Sequence, residues 1–251
     1  MKCIILAAGY ATRLYPLTEN FPKPLLKVND KTILDWLIDD IETSNRIDEY
    51  IIISNHKFIK YFERWQKKKE LDTKITIIDD GTMSNETRKG AVSDISLAID
   101  TLSLNDNLLV IAGDNVLDFS LNKFIDYFEE KQTTCIMRYY EEKKEKIKKS
   151  ASVKIDDNDL VLEMVEKPCE PNSNWCCPPF YIYQKSDVEK VKEALNNGCN
   201  PDAPGSFINW LYNKSRIHAM EMPGKRYDIG NLESYNDVGT NYPGIQKNKV
   251  K

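Results

Sequence analysis

The chain has 251 residues, of which 41% are hydrophobic and 29% charged, and its formal net charge is −4. This composition is typical of a globular protein with a buried core. The slightly acidic balance argues against nucleic acid or an anionic membrane as a partner. No apolar run is long enough to span a bilayer, and the N-terminus lacks the pattern of a signal peptide, so the sequence predicts a cytoplasmic protein.

The first third of the chain alternates apolar strands with amphipathic helices. Short apolar runs are typical of buried strands, and apolar side chains at helical spacing mark the segments between them. In chain order these elements are strand 2–6, helix 33–41 with Thr32 placed to cap it, strand 50–54, helix 57–69 and strand 74–78. The alternation predicts an α/β fold with a doubly wound, mostly parallel mixed sheet flanked by helices.

The remaining elements continue this pattern with a larger share of strands. They are a helix toward Ile99, strand 108–112, a helix through Phe124 and Phe128, strands 133–138, 151–156 and 160–165, helix 187–195, a helix through Phe207 and Leu211, and strand 217–222. We find no internal repeat and no Pro- or Ser-rich linker. The sequence therefore predicts one domain over residues 1–245, followed by a frayed polar tail at 246–251.

Neither the cysteines nor the histidines show metal-site spacing. The six cysteines form no C-x-x-C, and the two histidines lie far apart. Isolated thiols of this kind are usually small buried apolar residues. The adjacent pair Cys176 and Cys177 is unusual, and the sequence does not show its role.

The stretch directly after the first strand has the chemistry of a polyphosphate site. Residues 6–18 read Leu-Ala-Ala-Gly-Tyr-Ala-Thr-Arg-Leu-Tyr-Pro-Leu-Thr, and Lys23 follows between two prolines. Small residues such as Ala8 and Gly9 let a ligand approach the backbone, whose successive N–H groups can form an anion-binding concavity. Arg13 offers a planar fork of donors, and Lys23 a point charge. The alternative is an ordinary strand and turn with two surface cations.

A carboxylate follows the apolar strand 108–112, in the sequence Gly-Asp-Asn. Mg²⁺ prefers oxygen ligands and usually takes one or two carboxylates together with substrate phosphates, a role that suits Asp114. The alternative is that Asp114 only caps the next turn.

Four motifs in this order resemble those of the sugar-phosphate nucleotidylyltransferases. They are the opening loop with its Pro-Lys, the Gly-Asp at 113–114, a Glu-Lys-Pro at 166–168 and a Tyr-Asp-Ile-Gly at 227–230. The resemblance covers nearly the whole chain and implies a Rossmann-like fold of the nucleotide-diphospho-sugar transferase type. It departs at Ala11, where the family has a glycine. Alanine keeps the backbone N–H but restricts φ, so we expect the loop to persist with slightly altered geometry.

The resemblance also implies which residues bind the nucleoside triphosphate and its metal. The implied nucleotide-binding residues are Leu6, Ala8, Gly9, Arg13, Lys23, Asn85, Gly90 and Asp114. Asn85 and Gly90 would lie against the base, although residues 79–91 also fit an ordinary loop that caps a helix. The aspartate of the fourth motif, Asp228, would join Asp114 as the second ligand of Mg²⁺.

For the phosphorylated acceptor, the resemblance implies that Lys167 binds its phosphate and that Glu166 contacts its sugar. Pro179 and Tyr181 fall in the segment that faces the acceptor, and here the pattern departs from the family. The family has a small residue and a glycine where this chain has Cys-Cys-Pro-Pro-Phe-Tyr. Two prolines remove two backbone donors, so the acceptor could be an unusual sugar phosphate or no sugar at all. Equally, Pro178 and Pro179 could simply stiffen the entry to a strand.

Together these residues predict Mg²⁺-dependent transfer of a nucleotidyl group from a pyrimidine nucleoside triphosphate, with Arg13, Lys23 and Lys167 as the catalytic residues. The acceptor would be a sugar 1-phosphate, and the nucleotide-sugar product would serve cell-surface glycan synthesis. The alternatives are a cytidylyltransferase with a non-sugar acceptor and a non-catalytic module that binds a nucleotide-sugar. No nucleic acid or membrane partner is expected, and a homodimer stays open.

Overall fold

The structure is a computed structural model that describes residues 1–246. Within this part of the chain, no helix is long and apolar enough to cross a bilayer. The polar tail predicted at 246–251 lies outside the described residues from position 247 onward.

The strands follow the apolar runs of the sequence closely. In chain order they are β1 (Lys2–Leu6), β2 (Lys27–Val28), β3 (Lys31–Thr32), β4 (Glu49–Ser54), β5 (Lys74–Asp79), β6 (Leu108–Ala112), β7 (Asn115–Leu117), β8 (Thr134–Tyr140), β9 (Ala151–Ile155), β10 (Val161–Glu166), β11 (Trp175–Cys177), β12 (Phe180–Tyr183), β13 (Ile217–Glu221) and β14 (Arg226–Asp228). Ten of them build a mixed parallel and antiparallel sheet flanked by helices, which confirms the predicted fold class.

The helices follow the predicted amphipathic segments, although several of their ends differ. They are α1 (Ile33–Glu42), α2 (Ile59–Gln66), α3 (Ala91–Leu102), α4 (Asn122–Lys131), α5 (Lys144–Ile147), α6 (Lys185–Val188), α7 (Lys190–Asn196), α8 (Gly205–Leu211) and α9 (Leu232–Asn241). The single helix predicted over 187–195 is instead α6 and α7. They meet at Glu189, which keeps helical angles of φ −61° and ψ −26°.

Two compact units divide the chain. The first contains Met1–Arg88, Ala112–Lys123 and the residues from Pro223 onward, and the second contains Lys89–Ile111 and Phe124–Met222. The single domain predicted over residues 1–245 stays a prediction.

In the first unit, β4 pairs in parallel with both β1 and β5. Almost every side chain of β1 and β4 is buried, as expected for strands covered on both faces. Helix α1 begins where the sequence predicts, because the Thr32 hydroxyl accepts a hydrogen bond from the Asp35 N–H and the Asp35 carboxylate in turn accepts one from the Thr32 N–H. The antiparallel pair β7 and β14 also belongs to this unit.

In the second unit, antiparallel pairing prevails. The strand order is β10-β9-β11-β8-β12-β6, and β13 pairs in parallel with β8. The hairpin of β9 and β10 matches the two runs predicted on either side of residues 157–159, and it ends at Glu166. The cysteines of this chain are buried except Cys169, which is exposed.

Candidate functional site

The opening loop of the first unit keeps its shape at the position where the sequence departs from the family. Ala11 has φ 47° and ψ 43°, the left-handed conformation that glycine adopts most readily. Its carbonyl oxygen accepts hydrogen bonds from the Thr18 hydroxyl (2.8 Å) and from the Leu14 N–H (2.9 Å). A buried amide, Asn55, donates to the carbonyl of Ala8 at 2.9 Å. The loop is therefore held by local hydrogen bonds despite the alanine.

A buried apolar cluster fixes three parts of the first unit that carry polar site residues. Leu14 follows Arg13, Val116 lies two residues after Asp114, and Ile229 follows Asp228, and all three apolar side chains belong to this cluster. Burying such a side chain contributes about 1.5–3 kcal/mol to folding. The apolar neighbours thus hold these polar residues at the edge of one core.

Lys23 and Asp114 form the central ion pair of this unit. The Lys23 Nζ lies 2.8 Å from the Asp114 Oδ2, with 7% of the lysine side chain and 40% of the aspartate side chain exposed. The turn that carries Asp114 is anchored to the end of β1, since the Gly113 N–H donates to the carbonyl of Leu6 at 3.0 Å. A buried ammonium beside a half-open carboxylate is an arrangement suited to phosphate oxygens and a cation.

Strand pairing brings the backbone of Asp228 beside the turn that carries Asp114. In the antiparallel register of β7 and β14, Asp228 lies opposite Asn115, the residue next to Asp114. Residues directly opposite in such a pair have Cα atoms about 4.5–5.5 Å apart. The carboxylate of Asp228 is exposed. Two carboxylates at adjacent register positions, each open to solvent, fit a hard divalent cation such as Mg²⁺ that completes its shell with phosphate oxygens and water.

The described residues hold no group of three or more His, Cys, Asp or Glu side chains that could bind a metal by themselves. Substrate oxygens would therefore complete the coordination shell.

Gly9 and Arg13 face open space. A Cβ atom built on Gly9 meets no protein atom within 4 Å, and Gly9 is exposed. The Arg13 guanidinium is exposed, and no described residue pairs with it. No packing within the first unit requires either residue type, and the role of both residues in nucleotide binding stays a prediction.

The segment that follows β5 supplies the candidate base-reading group. Asn85 accepts a hydrogen bond from the exposed Arg88 at 3.2 Å through its Oδ1. The segment is joined to the opening loop, because the Tyr10 hydroxyl lies 3.0 Å from that of Thr82, and both residues are buried. Burial raises the pKa of Tyr10, so this hydroxyl keeps its proton. Asn85 thus lies on a segment that is hydrogen-bonded to the opening loop, and its contact with a base stays a prediction.

Gly90, in the second unit, has a structural reason to be glycine. Its φ of 94° and ψ of 155° are almost restricted to glycine, and a Cβ atom there would lie 2.5 Å from the Pro201 carbonyl oxygen. The next two N–H groups, of Ala91 and Val92, donate to the carbonyls of Asp202 (3.2 Å) and Pro201 (2.9 Å). A contact of Gly90 with the base stays a prediction.

The second unit contains an open polar cleft of 650 Å³. Its lining residues are Glu166, Lys167, Gly198, Cys199, Asn200, Asp202, Ala203, Ser206, Asn209, Trp210, Tyr212, Asn213 and Lys214. The Glu-Lys pair of the third motif therefore faces a cavity large enough for a small phosphorylated ligand. The sequence alone did not show the contribution of residues 198–214, because they carry no motif.

Glu166 and Lys167 both show signs of a binding role. Burial raises the pKa of Glu166, with Lys167 opposing the shift and Asp202 adding to it. Glu166 makes no side-chain hydrogen bond to a described residue. Lys167 is exposed and has a φ of 49°, held by a hydrogen bond from its N–H to the Ser150 carbonyl at 3.0 Å. A left-handed lysine and an unpaired half-buried carboxylate are features that binding sites retain at a cost in stability.

The segment 178–181, also predicted to bind the phosphorylated acceptor, is less open to a ligand than Glu166 and Lys167. The first N–H after Pro178 and Pro179 belongs to Phe180, and it donates to the Pro178 carbonyl at 2.8 Å. Residues 178–180 therefore offer no free backbone donor. Tyr181 is only 2% exposed, and burial raises its pKa well above the ordinary value. Its part in acceptor binding stays a prediction.

Two residues of the first unit were missed at the sequence level. Asn115 donates from Nδ2 to the Asp114 Oδ1 at 2.7 Å, and Arg226 donates from Nη1 to the Asn115 Oδ1 at 2.9 Å. Asn115 stands next to Asp114 in the Gly-Asp-Asn motif, which was a usable signal. Nothing in the sequence links Arg226 to Asn115, which lies 111 positions earlier in the chain.

A comparison with models of known protein families shows which family the chain belongs to. The model of the nucleotidyl transferase family matches residues 2–243. The chain belongs to the nucleotidyl transferase family. The match spans all four motifs and both units.

Curated relatives extend beyond this chain. The chain is 26% identical to the bifunctional protein GlmU of Methanocaldococcus jannaschii over 235 residues, which cover 92% of the chain and 51% of that protein. It is 23% identical to the glucose-1-phosphate adenylyltransferase of Thermosipho africanus, covering 92% of the chain and 59% of the relative. The chain thus spans about half the length of the first relative and somewhat more of the second.

A solved structure shares this fold over nearly its whole length. The crystal structure of UDP-glucose pyrophosphorylase complexed with UDP-glucose matches with a TM-score of 0.79 at 22% identity, covering 96% of this chain and 97% of that one. At this level of identity the likeness concerns the fold.

Proposed function

We propose that this chain transfers a nucleotidyl group from a pyrimidine nucleoside triphosphate to a sugar 1-phosphate, which releases pyrophosphate. The Lys23–Asp114 ion pair carries the proposal. It puts a buried ammonium and a partly exposed carboxylate at the end of a phosphate-type loop, in a chain of the nucleotidyl transferase family. The homodimer, the cytoplasmic location and the role in cell-surface glycan synthesis stay predictions.

The reaction needs positioning and charge neutralisation more than proton transfer. An oxygen of the acceptor phosphate, already ionised at neutral pH, attacks the α-phosphorus. The bond from that phosphorus to the bridging oxygen breaks, and pyrophosphate leaves with the electron pair. No general base is required, which suits a site built from lysine, arginine and carboxylates.

We assign the nucleotide to the first unit. Arg13 binds the β- and γ-phosphates and stabilises the charge of the leaving pyrophosphate through its donor fork. Lys23, fixed by Asp114, keeps its ammonium beside the α-phosphate. Asp114 and Asp228 would hold Mg²⁺, which supplies positive charge to the phosphate oxygens when bound.

The acceptor is assigned to the polar cleft of the second unit. Lys167 binds its phosphate, and Glu166 accepts hydrogen bonds from its hydroxyl groups. Burial raises the pKa of Glu166, whose carboxylate makes no side-chain hydrogen bond to a described residue, and a bound polyol would supply donors to it. The amide side chains of Asn200, Asn209 and Asn213 add donors and acceptors to the same cleft.

A second candidate is a cytidylyltransferase that acts on a phosphorylated alcohol, amino acid or amide. The specific observation in its favour is that residues 178–180 have no free backbone donor, so a sugar cannot be read by N–H groups there. A non-catalytic binding module is a third candidate. Against it stands the retention of Arg13, Lys23, Asp114, Lys167 and Asp228 together, since binding alone does not require all five.

Pyrophosphate release tests the proposal. UTP, dTTP, CTP, ATP and GTP would each be combined with Mg²⁺ and with hexose 1-phosphates, phosphocholine and phosphorylated amides. We expect turnover with a pyrimidine triphosphate and a hexose 1-phosphate. Turnover only with CTP and a non-sugar acceptor would establish the second candidate. Nucleotide binding without turnover for any acceptor would favour the binding module.

A further inference from the structure

Hydrogen bonds join the side chains of Lys23, Asp114, Asn115 and Arg226 in a line. The Lys23 Nζ bonds to the Asp114 Oδ2 at 2.8 Å, and the Asn115 Nδ2 bonds to the Asp114 Oδ1 at 2.7 Å. Arg226 continues the line, with its Nη1 at 2.9 Å from the Asn115 Oδ1. Both oxygens of Asp114 thus have one partner, and the orientation of its carboxylate plane is fixed from both sides.

Arginine determines the orientation of the amide in this line. A guanidinium group can only donate, so the oxygen of the Asn115 amide must face Arg226. The amide nitrogen then faces Asp114, whose ionised carboxylate can only accept. Asn115 is 1% exposed, so water cannot replace either bond cheaply. Without Arg226, nothing would hold the Asn115 amide in this orientation. In the flipped orientation its oxygen would face the Asp114 carboxylate, and the two acceptor groups would repel each other.

Strand pairing places Arg226 and both carboxylates together. Arg226 and Asp228 are two residues apart on β14, so their side chains leave the strand on the same face. Asn115 lies opposite Asp228 in the register. The line therefore connects the strand that carries one carboxylate to the turn that carries the other.

We propose that Arg226, acting through Asn115, is a positioning residue that fixes the Asp114 carboxylate for metal and triphosphate binding. The inference rests on the proposed function in one respect, the use of Asp114 as a metal ligand. Arg226 itself touches neither the metal nor the reacting atoms in this scheme. It fixes Asn115, the direct hydrogen-bond partner of the ligating carboxylate, and the loss of such a partner commonly costs 10–100-fold in metal affinity.

The test is a Mn²⁺ titration followed by electron paramagnetic resonance, with UTP, dTTP and CTP in turn. For Arg226→Met we expect Mn²⁺ affinity in the presence of triphosphate to fall 10–100-fold. Arg226→Lys keeps one donor for Asn115 and should recover part of the loss. Lys225→Gln removes the neighbouring exposed charge without touching the line, and should bind Mn²⁺ as the wild type does.

Steady-state kinetics and unfolding separate positioning from a merely structural role. We expect the Mg²⁺ concentration for half-maximal pyrophosphate release to rise in Arg226→Met while the acceptor KM stays the same. A purely structural role would lower the unfolding midpoint of both Arg226 variants and leave Mn²⁺ affinity of the folded protein unchanged, which would overturn the proposal.

The failure of this inference is distinguishable from the failure of the proposed function. A wild type that binds Mn²⁺ with triphosphate but releases no pyrophosphate contradicts the transfer reaction, and the Arg226 variants then still test positioning through affinity. A wild type that binds no Mn²⁺ in the presence of any of the three triphosphates overturns both. Should Arg226→Met fail to fold, Arg226→Lys decides, since an affinity equal to that of Lys225→Gln contradicts the proposal.

Discussion

At the scale of single residues, Ala11 occupies a backbone conformation that costs an L-residue about 1–2 kcal/mol. The cost is tolerated because the carbonyl of Ala11 accepts two hydrogen bonds and its methyl group packs against the apolar cluster. The opening loop therefore has a defined shape before any phosphate is bound.

Ala11→Gly should relieve this strain. Glycine adds about 0.5–1 kcal/mol of chain entropy to the unfolded state, and the loss of a half-buried methyl costs about 0.4 kcal/mol, so we expect a small net gain in unfolding free energy of about 0.5 kcal/mol or less. Urea unfolding of the variant and the wild type measures this difference in free energy. Ala8→Gly, in the same loop but without a positive φ, is the matched control and should lose stability. A loss of equal size in both variants would show that Ala11 carries no strain.

Glu166 makes stability depend on pH in a predictable direction. Its pKa is raised in the folded state by burial, so between its ordinary value of 4.5 and the folded value the folded chain holds more protons than the unfolded one. The contribution of this group is then fully present below pH 4.5 and is lost as pH rises.

Glu166→Gln removes that titration. We expect the unfolding free energy of the variant, relative to wild type, to increase as the pH is raised from 4 to 8. Glu170→Gln, an exposed glutamate nearby, serves as the control and should give a constant difference. A constant difference for Glu166→Gln would mean that its carboxyl group is not desolvated.

At the scale of elements, the start of α3 is hydrogen-bonded to the segment 198–204. The Ala91 and Val92 N–H groups bond to the carbonyls of residues 202 and 201, and Gly90 lets the two backbones approach. Since the same segment lines the polar cleft, the start of α3 sets one wall of the proposed acceptor site.

Gly90→Ala and Gly9→Ala should have opposite signatures. A Cβ at position 90 would meet backbone atoms at 2.5–2.8 Å in a glycine-only conformation, so we expect a loss of about 2 kcal/mol or more and weaker acceptor binding. At position 9 there is no protein atom to meet, so stability should change by less than about 0.5 kcal/mol while triphosphate affinity falls about tenfold. Urea unfolding measures the stability of both variants, and calorimetry measures their binding of acceptor and triphosphate. Equal stability of the two variants would contradict the structural role of Gly90.

Local signals predict most elements, and long-range contacts account for the rest. Thr32 caps α1 and the apolar runs become β1, β4, β5 and β6, because periodicity and capping are properties of neighbouring residues. The order of the strands and the pairing of β7 with β14 depend on contacts over more than a hundred residues. The sequence therefore predicted Asp114 and Asp228 as candidates, but it could not predict the Asn115–Arg226 link.

At the scale of the whole molecule, the predicted roles divide between the two units. The opening loop, Lys23, Asp114 and Asp228 belong to the first unit, and Glu166 and Lys167 to the second. The residues proposed to bind the triphosphate and the metal thus lie in one unit and those proposed to bind the acceptor in the other, while Gly90, a predicted base contact, lies in the second. The central claim is that Asp114, paired with Lys23, belongs to the reacting centre.

Magnesium-dependent pyrophosphate release by wild type, Asp114→Ala and Asp30→Ala tests that claim most directly. Asp30 is an exposed turn aspartate of the first unit and serves as the matched control. With the triphosphate and acceptor that the wild type uses, we expect Asp30→Ala to be fully active. Asp114→Ala should lose at least about 10³-fold in kcat, measured on protein shown to be folded, because the variant also loses stability when the buried Lys23 ammonium and Asn115 amide lose this partner. An Asp114→Ala variant as active as wild type would contradict the account.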